Sequence, residues 1–383
     1  MSEAAVALAP WIAAQRTSLL AQRGHAWLLQ GPSGLGQYAL GLELVRAWLC
    51  DNAPTLPAAR GSLPPEGALA ALGRPGGGSV PTQQGACGHC GSCHAIDVRT
   101  HADLCVLMPE VQMMALGWPL SEKAQADIDD KKRKPSREIR VEAMRDAVEF
   151  SQRTSARGKG KAVLVYPAEQ MNHVTANALL KTLEEPPGDV RFVLASEAAH
   201  QLLPTIRSRC QQWHFARPSE AELAHWKAQA DRDTQALLAL GGGMPLAAER
   251  LAEAGGGALL ARFVRDIGGL QAADVLRLAG QWEAWLKSKE ATASGFGLPE
   301  LSDWMQRWVS DLAAVRLGGR VRFFPAQESV LAALASRMSV AAASGCYNEL
   351  AQIHKVSRHP RSLRLVLEDM LMRYARAIAG ARG

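Results

Sequence analysis

No run in this sequence approaches the roughly 18 to 20 apolar residues that a membrane-spanning helix needs. Its N-terminus, MSEAAVALAPWIAAQR, lacks the basic start of a secretory signal. The expectation is a soluble, cytoplasmic protein. Cysteine is scarce, seven in 383 residues, which excludes the disulfide framework of small secreted domains. Neither sign of charge dominates: 43 Lys and Arg against 37 Asp and Glu leave +6. That balance is compatible with an anionic partner but too mild to demand one. Internal repeats are lacking as well.

What is present is enough apolar material, 48% of residues, to bury a large core, in a chain long enough for two or three domains. A helix-like pattern over 2–22 leads to the strand AWLLQ at 26–30, a glycine loop, and a helix running to about Cys50. DLCVLMP at 103–109, KAVLV at 161–165 and RFVLA at 191–195 read as buried strands. A helix is expected over 141–154. TANALLKTLEE forms another, stopped by Pro186 and Pro187. Strands alternating with helices predict an α/β fold with a parallel sheet covered on both faces. Segments 51–86 and 110–137 are poor in pattern and read as irregular. Beyond about 216 strands cease: short helices broken by GGGMP occupy 218–255, and the rest is helical. Leu301, Trp304, Met305, Trp308, Val309, Leu312 and Val315 share one helix face, as do Leu363, Val366, Leu367, Met370, Leu371, Tyr374 and Ile378. These stripes read as packing surfaces.

The loop GPSGLGQY, Gly31 to Tyr38, has the glycine spacing of the phosphate-binding motif G-x-x-x-x-G-K-[ST]. In that motif backbone N–H groups wrap the phosphates, lysine neutralises them and a small hydroxyl ligates Mg²⁺. Here Gly31, Gly34 and Gly36 remain, but Gln37 stands at the lysine position and Tyr38 at the hydroxyl. Both electrostatic elements are missing, so no nucleotide cofactor is expected to be hydrolysed there. Strand KAVLV continues into Tyr166 and Pro167, where a working site carries an acidic pair, with Glu169 nearby.

CGHCGSC places Cys87, Cys90 and Cys93 at spacing that lets three thiolates converge. A tetrahedral zinc site needs a fourth ligand. Cys50, at the end of the loop helix, is the candidate, with His89 and His94 as alternatives. Four protein ligands leave no open position for a reactive water, so the metal reads as structural Zn²⁺; an iron–sulfur cluster uses the same thiolates. Cys105, Cys210 and Cys346 read as small buried residues.

NALLKTLEEPP at 177–187, FVLAS at 192–196 and LLPTIRSRCQ at 202–211, with the degraded loop and the cysteine knuckle, resemble the bacterial clamp-loader subunits of the AAA+ class. The resemblance covers about residues 1–255 with specific motifs. It implies a RecA-like AAA+ α/β domain over 1–216 carrying the zinc knuckle, a small helical lid over 217–260 and a helical collar over 261–383. It also makes 51–86 and 110–137 insertions. The family's acidic pair falls on Tyr166 and Pro167, and a further ATP-contacting arginine at about Pro245, so the chain resembles the non-hydrolysing members. SRC at 208–210 resembles the motif whose arginine reaches ATP on an adjacent subunit. This implies that Arg209, beside Ser208, acts in trans. The family's fourth cysteine lies only a few residues upstream, whereas 36 residues separate Cys50 from Cys87.

What the resemblance implies about function is a hetero-oligomer with γ or τ and δ subunits that loads a sliding clamp on primed DNA within a DNA polymerase holoenzyme. Two other readings stand beside it: an active AAA+ ATPase with an unusual site, and a zinc-dependent nucleic-acid-binding module. The basic run Lys131, Lys132, Arg133, Lys134 and Arg137 reads as a solvated loop, with DNA phosphate contact as the competing reading.

Overall fold

The computed structural model describes residues 9–53, 85–289, 291, 296–357 and 362–379. Most of the 51–86 segment therefore lies outside the described residues. The chain divides into two compact units, residues 1–222 and 223–383.

The first unit is built on five parallel strands in the order β2-β3-β4-β1-β5. They are β1 (Ala26–Gln30), β2 (Leu104–Leu107), β3 (Lys161–Val165), β4 (Val190–Ser196) and β5 (Gln211–His214). Every residue of β1 and β3 is buried, which is why both read as unbroken apolar runs rather than alternating ones. Register runs Ala26 opposite Phe192 and Leu104 opposite Ala162. Strand β5, QQWH, is largely exposed at the sheet edge. It carries no apolar pattern, and sequence reasoning missed it for that reason.

Helices cover the sheet. Gln37–Leu49 buries Leu40, Leu44 and Val45. It lies so close that a Cβ on Gly41 would stand 2.8 Å from Leu164 Cδ1. His173–Glu184 begins where the Asn172 side chain accepts the Thr175 N–H at 3.0 Å and stops before the two prolines. With Val141–Gln152 it packs Met144, Ala147, Leu179 and Leu183 against Phe192 and Leu194. This is the RecA-like AAA+ α/β arrangement.

The 110–137 segment is more regular than its sequence suggests. It holds helices Glu110–Ala115 and Glu122–Asp129, the second capped by Ser121 accepting the Ala124 N–H. Helix Glu122–Asp129 buries no residue, so no apolar stripe announced it.

The second unit is helical among the described residues. Phe263, Trp282, Trp304, Trp308 and Phe324 form an aromatic core, and the Trp308 indole donates to Tyr374 Oη at 2.9 Å. Both apolar stripes face this interior through Leu301, Trp304, Met305, Trp308, Leu367, Met370 and Tyr374. No helix among the described residues is long and apolar enough to cross a membrane.

Candidate functional site

Ligands of open α/β sheets bind outside the carboxyl ends of the strands. At those ends lie the glycine loop after β1, Tyr166 after β3 and Glu197 after β4. The loop keeps its backbone shape: Gly34 has φ 89° and Gly36, capping the following helix, φ 98°, left-handed values that glycine adopts without strain.

Its interior is occupied by the chain itself. Gln37 is 1% exposed, and its amide donates to the carbonyls of Gly31 at 2.7 Å and Pro32 at 2.9 Å. The side chain at the lysine position thus ties the loop to its own backbone instead of reaching outward. Tyr38 stacks on Tyr166, with centroids 5.3 Å apart. Tyr38 stands at the motif's hydroxyl position and Tyr166 at the carboxyl end of β3, so the two rings meet beside the glycine loop. The Tyr166 hydroxyl donates to Glu197 Oε1 at 2.9 Å. Glu169 is committed to the end of β4, accepting from the Ser196 hydroxyl at 2.8 Å and the Glu197 N–H at 3.1 Å.

A third aromatic closes the group. The Trp118 indole donates to Tyr38 Oη at 2.7 Å, and the Arg99 guanidinium lies 5.5 Å from the Trp118 ring centre. Burial raises the Tyr38 phenol above its usual range, against the hydrogen bond from Trp118, so it stays neutral at physiological pH. Trp118 belongs to the 110–137 segment, and sequence reasoning gave it no role. Its segment is anchored by Glu110, 7% exposed, which takes a two-pronged pair from Arg133 at 2.6 and 2.8 Å and the Ser136 N–H at 2.7 Å. Burial pushes the Glu110 carboxyl up, but Arg133, the Ser136 N–H and the nearby Arg140 together outweigh it and hold the group below its usual value. Arg133 is therefore an internal strut, whereas Lys131, Lys132, Lys134 and Arg137 of the basic run are exposed.

Arg209 follows the short helix Pro204–Arg207 and precedes β5. Its guanidinium pairs with Glu184, Nε standing 2.5 Å from Oε1, and its Nη1 donates to the Thr205 carbonyl at 2.9 Å. Arg209 is half-buried and Ser208 exposed, and the Ser208 hydroxyl donates to the Thr205 carbonyl at 3.1 Å.

The fold brings together all four cysteines of the knuckle: the sulfurs of Cys50, Cys87, Cys90 and Cys93 lie within 4.8 Å of one another. Cys50 and Cys90 Sγ are 3.8 Å apart, and Cys87 and Cys93 Sγ 3.9 Å. Tetrahedral zinc with bonds of about 2.3 Å sets its sulfurs about 3.8 Å apart, so the residues fit such an ion. The long segment between Cys50 and Cys87 does not keep them apart. His89 instead directs Nδ1 to the Cys87 carbonyl at 2.8 Å. Among themselves the thiols divide: the His89 N–H holds Cys87 down to about 6, while burial pushes Cys93 up to about 12. A central divalent cation lets all four be thiolates at once. Cys105, Cys210 and Cys346 stand alone, each pushed up to about 12 by burial.

A polar chain ties the knuckle to the sheet. Asp51 accepts the Ser92 hydroxyl at 2.6 Å and N–H at 3.0 Å. His101 Nδ1 accepts the Asp103 N–H, so its Nε2 carries the proton and donates to Ser92 Oγ at 3.1 Å. Asp103, fully buried, takes the N–H groups of Ala156 and Arg157, the Ser155 hydroxyl and the Lys161 ammonium at 3.2 Å.

Comparison with known proteins gives the chain's kinship. A family described as DNA polymerase III, delta subunit, matches residues 78–219. DNA polymerase III subunit delta' of Pseudomonas aeruginosa is 33% identical over 317 residues, 80% of this chain and 78% of the relative. The same subunit of Escherichia coli is 30% identical over 67% of this chain and 61% of its own length. Subunit tau of Salmonella typhimurium is 27% identical over 52% of this chain but only 23% of its own length. The chain belongs to the DNA polymerase III subunit delta' family.

Proposed function

We propose that this chain is a non-hydrolysing AAA+ subunit of a bacterial clamp loader. In this reading it assembles with γ or τ and δ subunits in the cytoplasm, supplies Arg209 to ATP held by a neighbour, and helps load the sliding clamp on primed DNA. The observation that carries the reading is the Tyr38–Tyr166 stack. It occupies the place where an ATPase of this class gathers Mg²⁺ and phosphate, while the arginine of SRC is retained. Kinship with tau as well as delta' supports a place in the same assembly.

The division of labour follows from charge. A chain whose loop offers Gln37 and Tyr38 in place of lysine and a small hydroxyl has nothing with which to neutralise a γ-phosphate. A guanidinium offered from outside does that for a neighbour, a contribution of roughly 10³ to 10⁵ in rate for fingers of this kind. Ser208 ends the short helix from which Arg209 is presented. The four-cysteine knuckle holds structural Zn²⁺, which braces the α/β domain and takes no part in the reaction. Residues 217–260 serve as a lid and 261–383 as an oligomerisation collar.

The test is reconstitution with γ or τ, δ, clamp and primed DNA. The assembly containing Arg209→Ala forms normally but hydrolyses ATP at least about 10³-fold more slowly. Unchanged hydrolysis by that assembly, or Mg²⁺-dependent hydrolysis by this chain alone, overturns the reading.

A further inference from the structure

The geometry points to Glu184 as a positioning residue for the trans arginine: its carboxylate holds the Arg209 guanidinium oriented on the surface before a neighbour's nucleotide arrives. This rests on the reading of Arg209 given above.

Glu184 is the last residue of helix His173–Glu184, and the Pro186–Pro187 pair fixes where that helix ends. Arg209 reaches it from the turn after helix Pro204–Arg207, 25 residues away in sequence. The contact is made on one edge of the guanidinium. Nε and Nη2 both address Glu184 Oε1, and Nη1 is taken by the Thr205 carbonyl at 2.9 Å. Three anchoring directions in one plane fix the rotation of the group about its long stem. Nη1 also lies 3.5 Å from Ser208 Oγ, and a planar fork held in this way can present its remaining N–H capacity to phosphate oxygens.

Exposure distinguishes this pair from a structural strut. The side chains of Arg209 and Glu184 are 30% and 48% exposed, whereas Lys161 and Asp103, which brace the sheet, are 5% and 0% exposed. A pair that remains wet is screened, and an approaching triphosphate outcompetes it or shares the guanidinium with it. A flexible arginine without this anchor samples many rotamers, and each must be abandoned at the moment of reaction. The helix end contributes in the same direction: Glu184 sits at the negative end of its helix dipole, where a cation is favoured.

The test uses the complete hetero-oligomeric clamp loader with its hydrolysing subunits, clamp and primed DNA, following ATP turnover as ATP is varied. Glu184→Ala lowers kcat about fivefold and leaves the KM for ATP unchanged, because the loss is felt in the transition state. Glu184→Gln, which keeps an acceptor oxygen at the same reach, restores most of the rate. Glu184→Asp, one methylene short, does not. In the Arg209→Ala background, Glu184→Ala costs nothing further, since the residue it positions is gone. If Arg209→Ala is harmless, the finger reading fails. If Arg209→Ala is damaging while Glu184→Ala is neutral, or adds its own full loss to it, the positioning role is overturned.

Discussion

Tyr38 stacks on Tyr166 with ring centroids 5.3 Å and planes 29° apart. The two residues are 128 positions apart in sequence. Tyr38 follows the glycine loop and Tyr166 follows β3, both at the carboxyl ends of the strands. Their contact means that the two departures are one structural change. Each ring removes solvent from the other beside the glycine loop. Gln37 completes the change by satisfying the loop's own carbonyls.

It follows that restoring the motif in part does not restore a nucleotide site. In Gln37→Lys/Tyr38→Thr the new ammonium lies in a buried position, and on the proposed reading Tyr166 still stands where the metal would sit. We expect no ATP hydrolysis and no saturable binding of a fluorescent ATP analogue at micromolar concentration. The stability loss should be about 1 to 3 kcal/mol, from an unpaired buried group and the lost stack. Equilibrium denaturation and a binding titration on the same preparation check both halves.

The Trp118–Tyr38 bond gives a sharper prediction, because it can be removed from either side. Tyr38→Phe removes the acceptor and leaves the indole N–H of Trp118, a residue 7% exposed, without it. That should cost about 1 to 2 kcal/mol. Trp118→Ala should cost about 3 to 5 kcal/mol through the cavity it leaves. Made together, the two changes should cost measurably less than their sum, since they share one interaction. Full additivity in a double-mutant cycle would count against the bond.

Much of this was legible in the sequence, and the limits have physical reasons. β1, β3 and β4 announced themselves because strands buried on both faces must be continuously apolar. The loop was readable because left-handed turns select glycine, and the knuckle because three thiolates need close spacing. β5 and helix Glu122–Asp129 were not readable, being exposed and without a stripe. Trp118 was missed because its contact with Tyr38 spans 80 residues and no local pattern marks it. The same holds for Glu184 beside Arg209 and for the Asp103 network. Pairings across the fold leave no period in the chain.

For the knuckle we expect one zinc per chain by elemental analysis, and no visible absorption of the kind an iron–sulfur cluster gives. Cys50→Ser should lower zinc affinity more than tenfold. Removing the metal with a chelator should lower the melting midpoint by about 5 °C or more, since the ion's binding energy contributes to folding. Zinc retained equally well by Cys50→Ser would show that the fourth ligand lies elsewhere.

The buried pair Asp103–Lys161 makes the last prediction, on acid stability. Burial pushes the Asp103 carboxyl up, but the N–H groups of Ala156 and Arg157 and the Lys161 ammonium overcome this and hold it below its usual value. A carboxyl depressed in the folded state adds stability that is fully present above its unfolded value of about 3.9, and that stability is lost as pH falls through the folded value. Thermal midpoints should therefore hold from pH 7 to about 5 and drop steeply below about 4, with Glu110 adding to the same fall. Asp103→Asn should cost about 3 to 5 kcal/mol at pH 7, because Lys161 then stays buried without its counter-charge and an amide group faces the N–H donors of 156 and 157. Its stability should also fall less steeply in acid. Adding Lys161→Met should recover part of the loss, because breaking one side of a buried pair costs more than replacing both. Recovery tells whether the ammonium or the backbone donors depend more on Asp103: if the double variant is no more stable than Asp103→Asn, the carboxylate acts chiefly as the cap of residues 155–157.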